Sequence, residues 1–135
     1  MKITTKGRYA ILIMLTLANY YEDDQFISLK EISEEENISL KYLEKIMMSL
    51  KKEDFFHSSR GVDGGYKLAY PPSHYKLSDI LKAAERNLAP ASCVTDEVDC
   101  ERKGICKTYP IWKDLNDEMM NYLNHKTLED YIERK

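Results

Sequence analysis

Outside one short stretch the chain has no cysteine: Cys93, Cys100 and Cys106 all fall within CVTDEVDCERKGIC, in a protein of 135 residues. Their x6 and x5 spacing is not the CxxC pair of a zinc ribbon or a thioredoxin-type site. No apolar run reaches the roughly 18–20 residues that a bilayer-spanning helix needs. The best candidate, Tyr9 to Tyr21, is interrupted by Thr16 and Asn19. The opening MKITTKGRYA carries two lysines and an arginine like a signal n-region, but no small-residue cleavage site follows. A membrane span and an export signal are therefore not expected. A cytoplasmic location is, and thiols there stay reduced. Positive charge is not in surplus either. The net charge is −3 and the pI about 5.7, and the first seventy residues hold ten Lys or Arg against eleven Asp or Glu. Bulk charge thus neither announces nor excludes a nucleic-acid partner, and any such claim rests on local placement. No Ser-His-Asp or Cys-His constellation and no phosphate-binding glycine loop ahead of a helix is found, so no enzyme is expected. Internal repeats and low-complexity linkers are absent too.

What is present suits one compact domain with an extension: 43% hydrophobic residues allow a modest core and 32% charged residues a polar surface. Ala10, Ile13, Met14, Leu17, Ala18 and Tyr21 recur at helical spacing, with Thr4 or Thr5 as the cap. Ser28 ahead of Leu29-Lys30-Glu31 opens a short helix to about Glu35 as a capping-box candidate. Asn37 suits a left-handed turn, and Ser39 caps a third helix from Leu40 to about Lys52 with Leu43, Ile46, Met47 and Leu50 inward. HSSRGVDGGYKLAYPP then reads as a β-hairpin around a glycine-rich tip. Ser78 is expected to cap a helix from Asp79 to about Asn87. Pro110 sits in the first turn of a longer helix whose stripe is Trp112, Leu115, Met119, Tyr122 and Leu123. A helix this apolar, following a completed core, suggests packing against a second subunit. Thr127 to Asp130 forms one more capping box.

Three helices and then a hairpin is the order of a winged helix-turn-helix. The expected fold class is mainly α with a small β-hairpin, plus a long C-terminal dimerisation helix. The division expected is 1–88 for the winged helix-turn-helix DNA-binding domain, 89–109 for the cysteine-rich loop, and 110–135 for the dimerisation helix and tail. The second helix of such a motif enters the major groove. Here its outward residues are Lys41, Tyr42, Glu44, Lys45, Ser49 and Lys52. Arg60 at the glycine-rich tip could reach a narrow, strongly negative minor groove. Lys6 and Arg8 could hold backbone phosphates. Lysines at helical spacing are by themselves more often a solvated face. The order of turn, cap, helix and glycine-tipped hairpin reverses that preference.

Thiolates at five- and six-residue spacing can converge on one soft metal centre, and iron–sulfur clusters favour such ligands. Free thiols, a redox disulfide and zinc are the alternatives.

MKITTKGRYA, ISLKYLEKIMMSLKK, SRGVDGGYKL, the three cysteines and PIWKDLNDEMMNYLNHKTLEDY together resemble the Rrf-type bacterial regulators over nearly the whole chain. The cysteine loop is similar to that of the IscR-like, cluster-binding branch, and CymR-like members lack such a loop. The resemblance implies a homodimer on a pseudo-palindromic double-stranded DNA site, with Lys41, Glu44, Lys45 and Arg60 at contact positions. It implies an iron–sulfur cluster, [2Fe–2S] favoured over [4Fe–4S], held by Cys93, Cys100 and Cys106. Glu44 is a candidate selectivity residue, since a carboxylate in the groove can accept from a cytosine amino group. Its plainer role is an i, i+4 partner for a neighbouring lysine.

The sequence departs from the family at the fourth ligand. IscR-like proteins place a histidine three residues after the third cysteine, where this chain has Tyr109. NsrR-like proteins use a partner-subunit acid near the start of the first helix, where this chain has Arg8. The candidates left are Tyr109, Glu97 or Asp99, a partner residue, or an exogenous ligand. The functional expectation is a repressor that senses cluster status and regulates cluster-assembly genes. The alternatives are a nitric-oxide or thiol-redox regulator of the same fold, or a zinc or thiol interaction module that does not bind DNA.

Overall fold

The structure is a computed structural model and describes residues 3–85, 88–94, 101 and 104–133. Its helices are α1 (Thr5–Asn19), α2 (Leu29–Glu36), α3 (Leu40–Leu50), α4 (Leu77–Ala84) and α5 (Tyr109–His125). Strands β1 (Phe56–Ser59) and β2 (Gly65–Leu68) follow α3, and the described residues include the 3-10 turns η1 (Pro72–His74), η2 (Ser92–Val94) and η3 (Leu128–Tyr131).

The first three helices begin where a short hydroxyl side chain can satisfy a backbone N–H that the helix leaves unpaired. The Gly7 N–H donates to Thr4 Oγ1 at 3.2 Å, that of Glu31 to Ser28 Oγ at 3.1 Å, and that of Tyr42 to Ser39 Oγ at 3.4 Å. Asn37 ends α2 in the left-handed region, at φ 54° and ψ 49°. The chain therefore reverses within three residues and α3 packs across α2. Ser33 Oγ donates to the Ile38 carbonyl and ties that turn to α2.

One core holds these elements together. Ala10, Ile13, Met14 and Leu17 of α1 meet Ile32 of α2, Leu43, Ile46, Met47 and Leu50 of α3, Leu68 of β2 and Ile80 of α4. Tyr75, 1% exposed, is pinned at its polar end: its hydroxyl donates to the Phe55 carbonyl at 2.7 Å and accepts from the Tyr70 N–H at 3.1 Å. Burial pushes this hydroxyl up to about 12.

β1 and β2 pair antiparallel from Phe56↔Leu68 to Ser59↔Gly65. Ile27, just before α2, bridges Tyr66 on the other edge of β2. A side chain at Gly65, whose φ is +150°, would run into the Ile27 carbonyl, so glycine lets the hairpin lie close against the helix-turn-helix.

The sequence expectation for α4 needs correction. Ser78 does not cap it. The helix starts at Leu77, whose N–H donates to the Lys126 carbonyl at 2.9 Å, and Ser78 is fully buried. The helix ends at Ala84; Asn87, its expected end, lies outside the described residues. Helix α3 ends at Leu50, slightly before the expected Lys52, and α2 runs one residue further, to Glu36.

The C-terminal tail contributes more than the sequence suggested. Thr127 does form its capping box, and it also bridges Lys76. The Leu128 N–H donates to the Tyr75 carbonyl at 3.1 Å, and the Leu128 side chain, 0% exposed, belongs to the main core. On α5, by contrast, Leu123 is buried, but Ile111, Trp112, Leu115 and Tyr122 stay exposed, and of these Tyr122 meets the Tyr131 hydroxyl at 2.7 Å.

Candidate nucleic-acid interface and cysteine loop

Helix α3 sorts its residues by its 3.6-residue period. With Leu43, Ile46, Met47 and Leu50 inward, Lys41, Glu44 and Lys45 are exposed on the opposite side, and Lys52 is exposed just past the end. Tyr42, expected on the outward face, is half-buried: its ring stands edge-on to Tyr9, centroids 5.7 Å apart. Ser49 is half-buried too. Among the described residues Glu44 makes no ion pair, so it does not serve as the i, i+4 partner of a lysine.

Arg60 is exposed immediately after β1, at the start of the wing tip. Gly61 turns the chain there at φ +101°, and the Gly64 N–H closes the turn on the Gly61 carbonyl at 3.1 Å. Between the wing and α3 runs an open cleft of about 540 Å³, bordered by Glu44, Met48 and Lys51 on one side and Ser59, Gly61 and Tyr66 on the other. Lys51 Nζ lies 5.5 Å from the centre of the Tyr66 ring, a cation–π contact across this cleft.

Lys6 is half-buried and Arg8 exposed in the first two turns of α1. The N-terminus of that helix is held by a residue that sequence reasoning missed. Glu85, at the end of α4 and only 8% exposed, accepts from the Thr4 N–H at 2.7 Å and from the Thr4 hydroxyl. Its Oε2 is buried without a partner among the described residues. A carboxylate at a helix N-terminus meets the positive end of the helix dipole and unpaired N–H groups. No local signal marks Glu85, because its partner lies at the other end of the domain.

Of the loop, the structure describes the two ends. Cys93 is half-buried in η2, and η2 packs against α5. Cys106 is half-buried just before α5, its Sγ 3.3 Å from Thr108 Oγ1. Both described ends of the loop therefore lie beside the same helix. Two such soft donors, with a third cysteine between them in sequence, are a donor set that fits iron. Cys100, Glu97 and Asp99 lie outside the described residues, and among the described residues no group of three His, Cys, Asp or Glu converges. Tyr109 is half-buried as the first residue of α5. His57 stands on β1, His74 stacks on Tyr70 with centroids 4.4 Å apart, and His125 Nδ1 lies 2.6 Å from the Asn121 carbonyl.

A capped helix pair joined by a left-handed turn, followed by a glycine-tipped hairpin, defines a winged helix-turn-helix protein. The chain belongs to the Rrf2 family: residues 3–134 match that family, described as an iron-dependent transcriptional regulator. Among curated relatives, an HTH-type transcriptional regulator of Neisseria meningitidis serogroup A is 38% identical over 135 residues, covering 100% of this chain and 90% of that one. Among solved structures, CymR (YrzC), the global cysteine regulator of B. subtilis, matches at TM-score 0.78 with 33% identity, over 96% of this chain and 95% of that one. IscR of T. potens matches at TM-score 0.76 with 29% identity, over 96% of this chain and 85% of its own. These relatives are named as regulators and none as an enzyme. The chain is thus a DNA-binding transcription regulator. Among the described residues, no helix is long and apolar enough to cross a membrane.

Proposed function

We propose that this regulator is a homodimeric, cytoplasmic repressor that senses iron–sulfur cluster status and controls cluster-assembly genes. The observation that carries the reading is the placement of the cysteine loop, whose ends Cys93 and Cys106 both adjoin α5. That helix leaves Ile111, Trp112, Leu115 and Tyr122 exposed, as an element that pairs with a second copy would. Its likeness to an IscR supports the cluster-binding branch.

In this reading residues 1–88 bind DNA, 89–109 form the sensing loop and 110–135 the dimer helix and tail. Lys41, Glu44 and Lys45 face the major groove together with the part of Tyr42 that Tyr9 leaves exposed, Arg60 faces the minor groove, and Lys6 and Arg8 the phosphates of a pseudo-palindromic operator. Cys93, Cys100 and Cys106 would hold the cluster, [2Fe–2S] in preference to [4Fe–4S]. Tyr109, Glu97, Asp99, a partner residue or an exogenous group would complete the site. When bound, such a cluster supplies sensitivity to iron supply and to oxidants. The chain transmits that state because the loop leads directly into α5, and α5 sets the spacing of the two α3 helices. The effect on DNA binding is bounded by the difference in cluster affinity between the two dimer geometries.

Ultraviolet–visible and Mössbauer spectra of anaerobically isolated protein test this. The expected result is a cluster, with its nuclearity and any non-cysteine ligand visible. Colourless, iron-free protein would sink the proposal. The departure at Tyr109 favours a second reading, a nitric-oxide or thiol-redox sensor of the same fold, which nitrosylation kinetics on reconstituted protein would distinguish.

A further inference from the structure

Met48 is the one large apolar side chain standing far out of α3: it is 71% exposed, while Met47 beside it is 1% exposed. Its position is not arbitrary. Lys41, Glu44, Lys45, Met48 and Lys52 recur at i, i+3, i+4, i+7 and i+11, so Met48 sits in the middle of a charged stripe. On its other flank it borders the cleft between α3 and the wing. An apolar group gains nothing from water in the midst of charges, and among the described residues no element covers it.

We infer that Met48 is a specificity-determining residue that reads a thymine by contact with its C5-methyl group. The inference rests on the DNA-binding reading of α3. The chemistry that selects thymine is direct: among the four bases only thymine places a methyl group on the major-groove edge, where cytosine has a bare C5–H and the remaining groups donate or accept hydrogen bonds. A flexible, polarisable thioether can adapt its three rotatable bonds to such a surface. Glu44 lies one turn earlier on the same face, about 6 Å along the helix axis at 1.5 Å per residue. With bases stacked about 3.4 Å apart, the thymine read by Met48 falls about two base steps from the pair that Glu44 addresses. Glu44 accepts from a cytosine amino group while Met48 covers a thymine methyl, so this half of the helix prefers pyrimidines on one strand.

The test begins with duplexes selected from a random-sequence pool by the full-length protein. Each thymine in the selected duplex is then replaced by deoxyuridine, which removes the methyl and nothing else. At one position per half-site the wild-type protein should bind about four-fold more weakly, the worth of one buried carbon. Met48→Leu should keep that difference. Met48→Gln, polar and of similar length on an exposed helix position, should erase it while leaving the salt dependence of binding unchanged. A selected duplex bound equally well with thymine and deoxyuridine at every position overturns the assignment of Met48 and spares the DNA-binding reading. So does a Met48→Gln protein that still discriminates. Failure to enrich any duplex, together with no salt-dependent binding, overturns both.

Discussion

Replacing Gly7 by alanine should destabilise this protein, against the ordinary preference of a helix. Gly7 lies in the first turn of α1, where exchanging glycine for alanine is worth up to about 1 kcal/mol in favour of the helix. Here the space is already taken. A Cβ on Gly7 would stand 2.5 Å from Glu85 Oε1 and 2.7 Å from Glu85 Cδ, both closer than unbonded atoms allow. The Glu85 carboxylate would have to withdraw and give up the Thr4 N–H at 2.7 Å and the Thr4 hydroxyl. Hydrogen bonds to a charged acceptor are worth about 1.5–3 kcal/mol each, so after the helix gain the net loss should be about 2–5 kcal/mol. The assay is urea denaturation at fixed protein concentration on four proteins: wild type, Gly7→Ala, Glu85→Ala and the double variant. Once Glu85 is gone the conflict is gone, and Gly7→Ala should then stabilise by up to about 1 kcal/mol. The sign of the alanine effect therefore inverts between the two backgrounds. If Gly7→Ala stabilises the native background, or the two changes add to within about 0.5 kcal/mol, the described contact does not hold the helix end.

Tyr75→Phe should cost about 1–3 kcal/mol near neutral pH, because it leaves the Phe55 carbonyl and the Tyr70 N–H without their buried partner. Because the folded-state value of Tyr75 is raised from 10.0 to about 12, the unfolded chain loses this proton first. Its stabilisation is whole below pH 10 and is lost as pH rises to about 12. Denaturation across that range should show a decline that Tyr75→Phe makes shallower, and an equal decline in the variant would contradict the assignment. Asn37→Gly should be tolerated, whereas Asn37→Ala should cost about 1 kcal/mol by melting temperature, since φ of 54° favours residues that accept the left-handed region. Leu115→Glu, on the uncovered face of α5, should leave the circular dichroism spectrum intact and shift sedimentation from dimer to monomer. A persistent dimer would mean that the subunits pair elsewhere. Lys41→Ala and Lys45→Ala should each lower the slope of log affinity against log salt by about 0.9 if each lysine neutralises one phosphate.

The features legible in the sequence were those fixed by neighbours a few residues apart. Thr4, Ser28, Ser39 and Thr127 stand as caps because a hydroxyl reaches an N–H three residues on, and Asn37 takes its left-handed turn because its own side chain permits it. The sorting of α3 into Leu43, Ile46 and Leu50 inside and Lys41, Glu44 and Lys45 outside follows from helical period alone. Features fixed by distant segments were not legible. Ser78 looked like a cap, but the start of α4 is set by Lys126, which reaches it only after α5 has returned the chain. Glu85 gave no signal because Thr4 and Gly7 are its neighbours only in the folded chain. Tyr42 carries the spacing of an outward residue, yet Tyr9 of α1 half-covers it. The candidate site divides the same way. The lysine stripe and the wing arginine were found by periodicity and by glycine, whereas the nearness of both loop ends to α5 required the fold.

Control of DNA binding by the cysteine loop through α5 is the step on which the proposed function turns. It is tested most directly by the affinity of anaerobically isolated protein for a selected duplex, compared with the variant in which Cys93, Cys100 and Cys106 are all alanine. The wild-type protein should be iron-loaded and its affinity or choice of site should differ clearly from that of the variant, with both still folded and both binding more weakly as salt rises. Equal affinity and equal site preference for the two proteins under anaerobic and oxidising conditions alike would contradict it.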